Sequence, residues 1–515
     1  MVNIHWKLGL LFLLLASGTL SALTQEDAKL ARAARLGDLA ATEYFDAAKN
    51  ALTEMVRFKT VSDSHTPNHQ NPEFIRFKQW LKQHCQRLGL RYEDHQQVIL
   101  VSIGEGEKKL GLITHADVQP ANPAMWKNNP FELDQTQRVD YWIGRGTEDD
   151  KGPIAATLYA LKTLNDENSK RPKIELLIYL SEESDWEPLR EFVKSYSPAP
   201  VNLAFDSEFP VVTAEKGWGL VKLKFPVLAD NLTDQSSIND RPQILTFKGG
   251  AFSSQIPQQA IAITRGLTDQ QVIELNTQLS RLAHERKVKF EITRVRDKTF
   301  LSLEGRSAHS SKPEEGINAV SHLAYVLGSL EWSPSPESTA VHFLGDNIGL
   351  SYTAKHFGNV AYQDNFMGPL TVSPTLLEYN QLHLELSINL RRPSGKSRSQ
   401  LQQDIEKALN DWQNQRQLKI ETLGITLSDP YRMDNAPQVA DLLKVYGHIM
   451  QVKAPQPVSI GGSTNGQLFP NTVGFGPSFP GNEYTGHSEH EFIRANDFRQ
   501  LLRLYTATLV YLTED

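Results

Sequence analysis

Ile174-Glu175-Leu176-Leu177-Ile178-Tyr179-Leu180 runs without a break into Ser181-Glu182-Glu183-Ser184. A near-continuous apolar run of this length predicts a strand buried on both faces, as in a sheet covered by helices. The carboxylates that follow it stand where open α/β sheets hold their ligands, just beyond the C-terminal end of a strand. The pattern recurs twice nearby. Leu110-Gly111-Leu112-Ile113-Thr114 leads into His115-Ala116-Asp117, and the apolar stretch Val201–Phe205 leads into Asp206-Ser207-Glu208-Phe209-Pro210. Val98–Ile103 reads as a further strand and Pro153 to Leu164 as a helix, so strands alternate with helices and an α/β fold is expected.

Working outward, helical patterns cover about Gln25 to Val56 and Pro72 to Leu88. The texture changes from about Gly219, where strand-like segments (Gly219–Phe225, Thr299–Leu303, Leu382–Leu390) flank helical ones (Asp269–Glu285, Gly316–Glu331, Ser399–Gln413). The last section returns to the α/β pattern with helices at Ala436–Gln451 and Ala495–Thr513. This predicts a first catalytic part over 23–217, an inserted α+β unit over 218–428 and a second catalytic part over 429–515. No fixed-period repeat interrupts it.

Hydrophobic residues make up 40% of the 515 and charged residues 22%, enough to bury a large core and unlike a disordered, collagen-like or coiled-coil chain. A net charge of −7 argues against nucleic acid as a partner, which would call for a basic face. Lys7, the apolar run Leu8–Ala16 and the small residues Ser17-Gly18-Thr19 and Ser21-Ala22 have the order of a secretory leader. Residues 1–22 are therefore expected to be removed after Ala22, giving a periplasmic or secreted protein without stable membrane association; Leu8–Leu23 is too short to span a bilayer comfortably. The single cysteine, Cys85, cannot form an internal bridge. It shares a helical face with Phe77, Trp80, Leu81 and Leu88, which predicts a buried apolar role rather than a nucleophile.

Five polar clusters carry the chemistry. His115-Ala116-Asp117 offers an imidazole with a carboxylate two residues on, a zinc-ligand pattern that also fits a plain surface loop. In Gly144-Arg145-Gly146-Thr147-Glu148-Asp149-Asp150-Lys151-Gly152, adjacent carboxylates are unfavourable unless a cation neutralises them; the alternative is an acidic cap for the following helix. Glu182 and Glu183 suit a division of labour, one binding metal and one moving protons, against a solvated strand end. Asp206-x-Glu208 is the fourth cluster, and Gly486-His487-Ser488-Glu489-His490-Glu491 the fifth, with His487 and His490 a candidate metal pair. His65 and His69 fall in a Pro/Asn-rich loop and read as solvated.

The order of these clusters resembles the co-catalytic di-zinc metallopeptidases of the M20 type, which include aminoacylase, carnosinase and peptidase V. The likeness extends from Phe58-Lys59-Thr60-Val61-Ser62 to the end, through Trp126 with Pro130-Phe131, Glu215-Lys216-Gly217, Ala308-His309, Gly316-Ile317-Asn318-Ala319 and Gly461-Gly462-Ser463-Thr464. Asp-x-Glu-Phe-Pro and Glu-Lys-Gly are most similar to the peptidase V dipeptidase branch. The resemblance implies a zinc-exopeptidase catalytic domain, a mixed sheet flanked by helices, with an inserted α+β lid. It implies two Zn2+ ions, with Mn2+ or Co2+ as alternatives. His115 would bind one ion and His487 the other, Asp149 would bridge them, and Glu183 would complete the ligands of one ion and Asp206 those of the other. Asp117 would orient His115, and Glu182 would be the general base acting on a metal-bridging hydroxide. His309 would reach in from the lid as an oxyanion donor. Arg391, rather than Arg392, would read the substrate carboxylate, with Gly461, Gly462, Ser463 and Gln467 lining the substrate loop. Gln467 stands where the family often has arginine, and His490 departs from the family's Asn-Glu pair. The long insertion points to a monomer, with a dimer as the alternative. The activity implied is hydrolysis of dipeptides or short peptides. An N-acyl-amino-acid amidohydrolase or carboxypeptidase is the alternative, and a non-catalytic peptide-binding relative is disfavoured by the retained Glu182.

Overall fold

The computed structural model describes residues 25–63, 65–167, 170–226, 241–381 and 383–514. The leader expected over residues 1–22, and Leu382, lie outside them.

A nine-stranded sheet runs in the order Arg91–His95, Val98–Ile103, Pro172–Tyr179, Glu105–His115, Val201–Ala204, Thr472–Gly474, Val212–Glu215, Tyr431–Arg432, with Val458–Ile460 also paired to Val212–Glu215. The four strands from Pro172–Tyr179 to Thr472–Gly474 run parallel to one another, and the next strand on either side is antiparallel to them, so the sheet is mixed. The helix Lys151–Asp166 is buried over nearly its whole length because it is apolar all round and packs against Ala495–Thr513. The long N-terminal helical stretch breaks at Tyr44, where the backbone leaves helical geometry (φ −108°, ψ 0°), before Phe45–Val56.

After Glu215 the chain enters an eight-stranded sheet, Lys289–Val295, Lys298–Glu304, Gln259–Arg265, Gln243–Gly249, Thr371–Asn380, His383–Arg392, Gly217–Phe225, Glu421–Leu427, with every pairing antiparallel. Burial alternates along Gly217–Phe225, the mark of a sheet with one covered and one open face. Its core takes residues 221–427, whereas the core around the mixed sheet takes residues 33–211 and 436–511, so the second unit is inserted into the first. The helix expected over Gly316–Glu331 is shorter, Ala319–Leu327. The Asn318 side chain caps it by accepting from the Ser321 amide, while Ile317 exchanges two backbone hydrogen bonds with Arg306 at 2.8 and 3.1 Å and is held extended.

Candidate metal centre

Strand register assembles the site. Ile113 pairs with Ala204 and His115 with Tyr179 on the two neighbouring parallel strands. His115 is therefore level with Asp206, and Glu182 and Glu183 follow one turn beyond Tyr179. Asp149 arrives from the turn before Lys151–Asp166, and His487 from the loop before the strand Phe492–Arg494.

Asp149 stands between two imidazoles, with one oxygen towards each. Its Oδ1 is 2.9 Å from His115 Nε2, and its Oδ2 is 3.2 Å from His487 Nε2. Asp206 Oδ2 lies 3.8 Å from His115 Nε2, and Glu183 Oε1 lies 2.7 Å from His487 Nε2. Two triads, His115–Glu182–Asp206 and His115–Asp149–Glu183, each bring three donor atoms within 4.8 Å of one another. His490 is outside this group, 3.4 Å from Glu483.

The electrostatics are those of a cation site. Burial pushes the Asp206 carboxyl up to about 7 and that of Glu182 well above the usual range. Burial would raise Asp149 too, but His115 and His487 outweigh it and hold it well below the ordinary carboxylate range. The His487 imidazole is lowered by burial yet lifted to about 10 by Glu183 and Asp149. Glu182 Oε1 is buried and has no hydrogen-bond partner among the described residues. Four carboxylates and two imidazoles facing one another out of water are unfavourable without a compensating charge, and their N and O donors fit a divalent metal.

Residues around the donors fix them. Both Asp117 carboxylate oxygens accept backbone N–H groups, from Glu182 at 2.9 Å and Glu183 at 3.0 Å. His115 Nδ1 lies 3.0 Å from the Asp117 carbonyl and 3.5 Å from its carboxylate, so Asp117 orients the imidazole chiefly through its backbone and spends its carboxylate on the two glutamates. Glu491 accepts from Arg145 Nη1 and from the amides of Gly146, Glu148 and Asp149, at 2.9–3.1 Å. Glu148 in turn accepts from the amide and hydroxyl of Thr485, two residues before His487, at 2.7 and 2.8 Å. The acidic run thus divides: Glu148 and Glu491 tie the two loops together, Asp149 faces the imidazoles, and Asp150 accepts from the His115 amide at 3.2 Å.

Four contributors escaped the sequence reading. Gln119 donates to Glu183 Oε2 at 2.9 Å, and the Tyr484 hydroxyl donates to Asp149 Oδ2 at 3.0 Å. Asn68 is buried in the loop read as solvated; it donates to the Leu180 carbonyl and to Ser181 Oγ, just before Glu182. Lys312 of the inserted unit pairs with Glu208 at 2.8 Å. A polar residue between apolar runs gives no sign of which remote group it will meet, although the partners Glu183, Asp149, Ser181 and Glu208 all lay in clusters already singled out. Within that loop His65 is exposed and His69 partly buried. Cys85 is buried, and burial pushes its thiol up to about 12.

The metal-ligand candidates open onto a cavity of about 790 Å³ lined from both units, including Glu182, His309, Arg391, Gly462, Ser463 and Gln467. The His309 ring is 4.3 Å from that of His487, and burial, with His487 and Arg391 close by, keeps it neutral. The Ser311 amide donates to His309 Nδ1 at 3.2 Å, which places the ring proton on Nε2. Arg391 is held by Asn389 Oδ1 at 3.1 Å and Ser310 Oγ at 2.9 Å; burial lowers its guanidinium to about 10, so it stays cationic near neutrality. Arg392 is committed elsewhere, to Ser428, Asp429 and Lys396. Gly461 lies against the inserted unit, where a Cβ would meet the Ser311 carbonyl at 2.1 Å. Gln467 donates its amide to Ser463 and Thr464 of its own loop, at 3.1 and 3.2 Å.

A mixed α/β sheet that gathers imidazoles and carboxylates beyond its parallel strands, with a second unit closing over them, has the design of a metal-dependent hydrolase. Residues 111–511 match peptidase family M20/M25/M40, and the chain belongs to that family of peptide-bond hydrolases. A Staphylococcus aureus (strain USA300) protein carrying a provisional dipeptidase name is 29% identical over 80% of this chain and 83% of its own. The Beta-Ala-Xaa dipeptidase of Lactobacillus delbrueckii subsp. lactis is 28% identical over 81% of this chain and 84% of its own. Human carnosine dipeptidase 1 shares the fold, with a TM-score of 0.57 at 14% identity over 94% of this chain and 98% of that one.

Proposed function

We propose that the protein is an exopeptidase that hydrolyses dipeptides or short peptides with two zinc ions. His115, Asp206 and Asp149 would hold one ion and His487, Glu183 and Asp149 the other. Bound there, divalent metal supplies Lewis acidity towards the carbonyl and acidifies water. The observation that carries the reading is the carboxylate of Asp149 placed between two imidazoles beside a cavity that also holds Glu182 and Arg391. Glu182, with one carboxylate oxygen free of hydrogen-bond partners among the described residues, takes the proton of the attacking water and passes it to the leaving amine. The Nε2–H of His309 donates to the carbonyl oxygen as negative charge builds there. Arg391 presents a planar fork to the free carboxylate of the substrate.

The name of the Lactobacillus relative supports a dipeptide substrate. Metal analysis joined to a hydrolysis screen tests the whole reading. Two divalent ions per chain and cleavage of Xaa-Xaa dipeptides are expected; turnover confined to N-acetylated amino acids would replace dipeptidase with amidohydrolase, and zero or one ion would remove the metal assignment. We also propose that the protein works as a monomer in the periplasm or outside the cell after losing residues 1–22, which N-terminal sequencing and light scattering of the mature protein check.

A further inference from the structure

A metal-binding imidazole is oriented by whatever its other ring nitrogen touches. For His115 that partner is local, the carbonyl of Asp117 on the same strand end. For His487 it comes from the inserted unit: Ser254 Oγ lies 3.2 Å from His487 Nδ1. The adjacent Gln255, buried itself, donates its side-chain amide to the His487 carbonyl at 2.7 Å. This second contact bears on backbone shape. His487 has φ 63°, in the left-handed region that residues other than glycine rarely occupy and that persists only where the surroundings over-determine it. Ser254 and Ile256 are in turn hydrogen-bonded to Ala308 and Ser310, through Ser310 N to Ser254 O at 2.8 Å and Ile256 N to Ala308 O at 2.9 Å. The bridge that grips His487 therefore also carries His309, and it carries Ser310, which accepts from Arg391.

We propose that Ser254 and Gln255 are positioning residues for the metal held by His487 and Glu183, so that the inserted unit completes one of the two metal positions while the mixed sheet builds the other alone. The inference rests on the two-metal reading above. It assigns the two positions different dependence on the inserted unit: the ion at His115 and Asp206 is indifferent to where that unit sits, and the ion at His487 is not. Because His309 sits on this bridge and the neighbouring Ser310 holds the Arg391 guanidinium, seating the substrate-contacting groups and setting the second metal position become one event.

The test counts metal in the full-length mature protein, loaded with Zn2+ and dialysed against a graded series of chelator strengths. The Ser254→Ala/Gln255→Ala variant should release one ion at a free-zinc level about ten- to a hundredfold higher than wild type, the usual cost of losing an outer partner, with the other release point unmoved. Ser254→Thr, which keeps the hydroxyl, should stay close to wild type on both. Unfolding monitored by circular dichroism accompanies each titration. If the double variant does not fold, Ser254→Ala alone removes one oxygen and is judged by the same two release points. Release points equal to wild type overturn the inference, and so does an equal shift of both, which would mean general loosening. A wild-type protein that holds fewer than two ions takes down the two-metal reading itself, and this inference with it.

Discussion

The two sheets supply their functional groups in different ways. In the mixed sheet, His115, Glu182, Glu183 and Asp206 sit immediately beyond three neighbouring parallel strands, and register alone brings them together. In the antiparallel sheet, Arg391 lies within a strand, and His309 lies in a loop held by short bridges, Gln255 to His309 and Arg306 to Ile317. The first arrangement ties each group to a rigid strand end and gathers charge in a buried place. The second presents isolated side chains to a cavity, and among the described residues no carboxylate forms an ion pair with Arg391, although Glu182 and Glu183 favour its charge from a distance. We read the first as suited to holding metal and moving protons, and the second as suited to meeting a substrate from the opposite side.

That contrast can be broken by mutation. Asp149→Ala removes the carboxylate shared by both imidazoles; loss of bound metal and a fall in turnover of about a thousandfold or more are expected, read by metal analysis and steady-state kinetics. Retention of both ions would mean that the strand-end cluster is not the metal site. Glu182→Gln should keep the metal and the fold while lowering kcat by roughly a hundred- to ten-thousandfold, as for a lost acid–base group; near-normal turnover would move the base elsewhere. On the other sheet, Arg391→Lys keeps the charge and loses the fork. A drop of about ten- to a hundredfold in kcat/KM is expected on free dipeptides, in line with hydrogen bonds to charged groups, and a much smaller one on C-terminally amidated substrates. Equal losses on both would make Arg391 structural. The smallest effect should come from Gln467→Ala, within about threefold on either substrate, because the amide is already engaged by Ser463 and Thr464 of its own loop. A loss as large as that of Arg391→Lys would show that Gln467 had taken over carboxylate recognition.

The same contrast explains what could be read from the sequence. Strands buried on both faces are continuous apolar runs, so Val98–Ile103 and the strand before Glu182 were plain, and the metal-ligand candidates stood next to them. Strands of the inserted sheet bury one face and alternate, as in Lys289–Val295 and Gln259–Arg265, where only part of each strand is covered; these and Thr371–Asn380 went unread. His309 and Arg391 came to notice through family resemblance rather than local pattern. Glu148 and Asp150 looked equivalent to Asp149, because a run of carboxylates does not tell which will face a backbone amide, a hydroxyl or an imidazole. Ser254 and Gln255 carried no signal at all. Their partner is more than two hundred residues away in the chain.

Glu491 has a consequence in time as well as in space. Until it is present, the amides of Gly146, Glu148 and Asp149 and the guanidinium of Arg145 lack the acceptor that holds them, and that acceptor follows more than 340 residues later. During synthesis from the N-terminus, the strands carrying His115, Glu183 and Asp206 can all be complete while the turn bearing Asp149 is still unset. Closing so long a loop is slow and comes late in folding. A partly made chain therefore lacks the acceptor that sets the turn carrying Asp149, and that turn takes its final place only once the C-terminal section has been made.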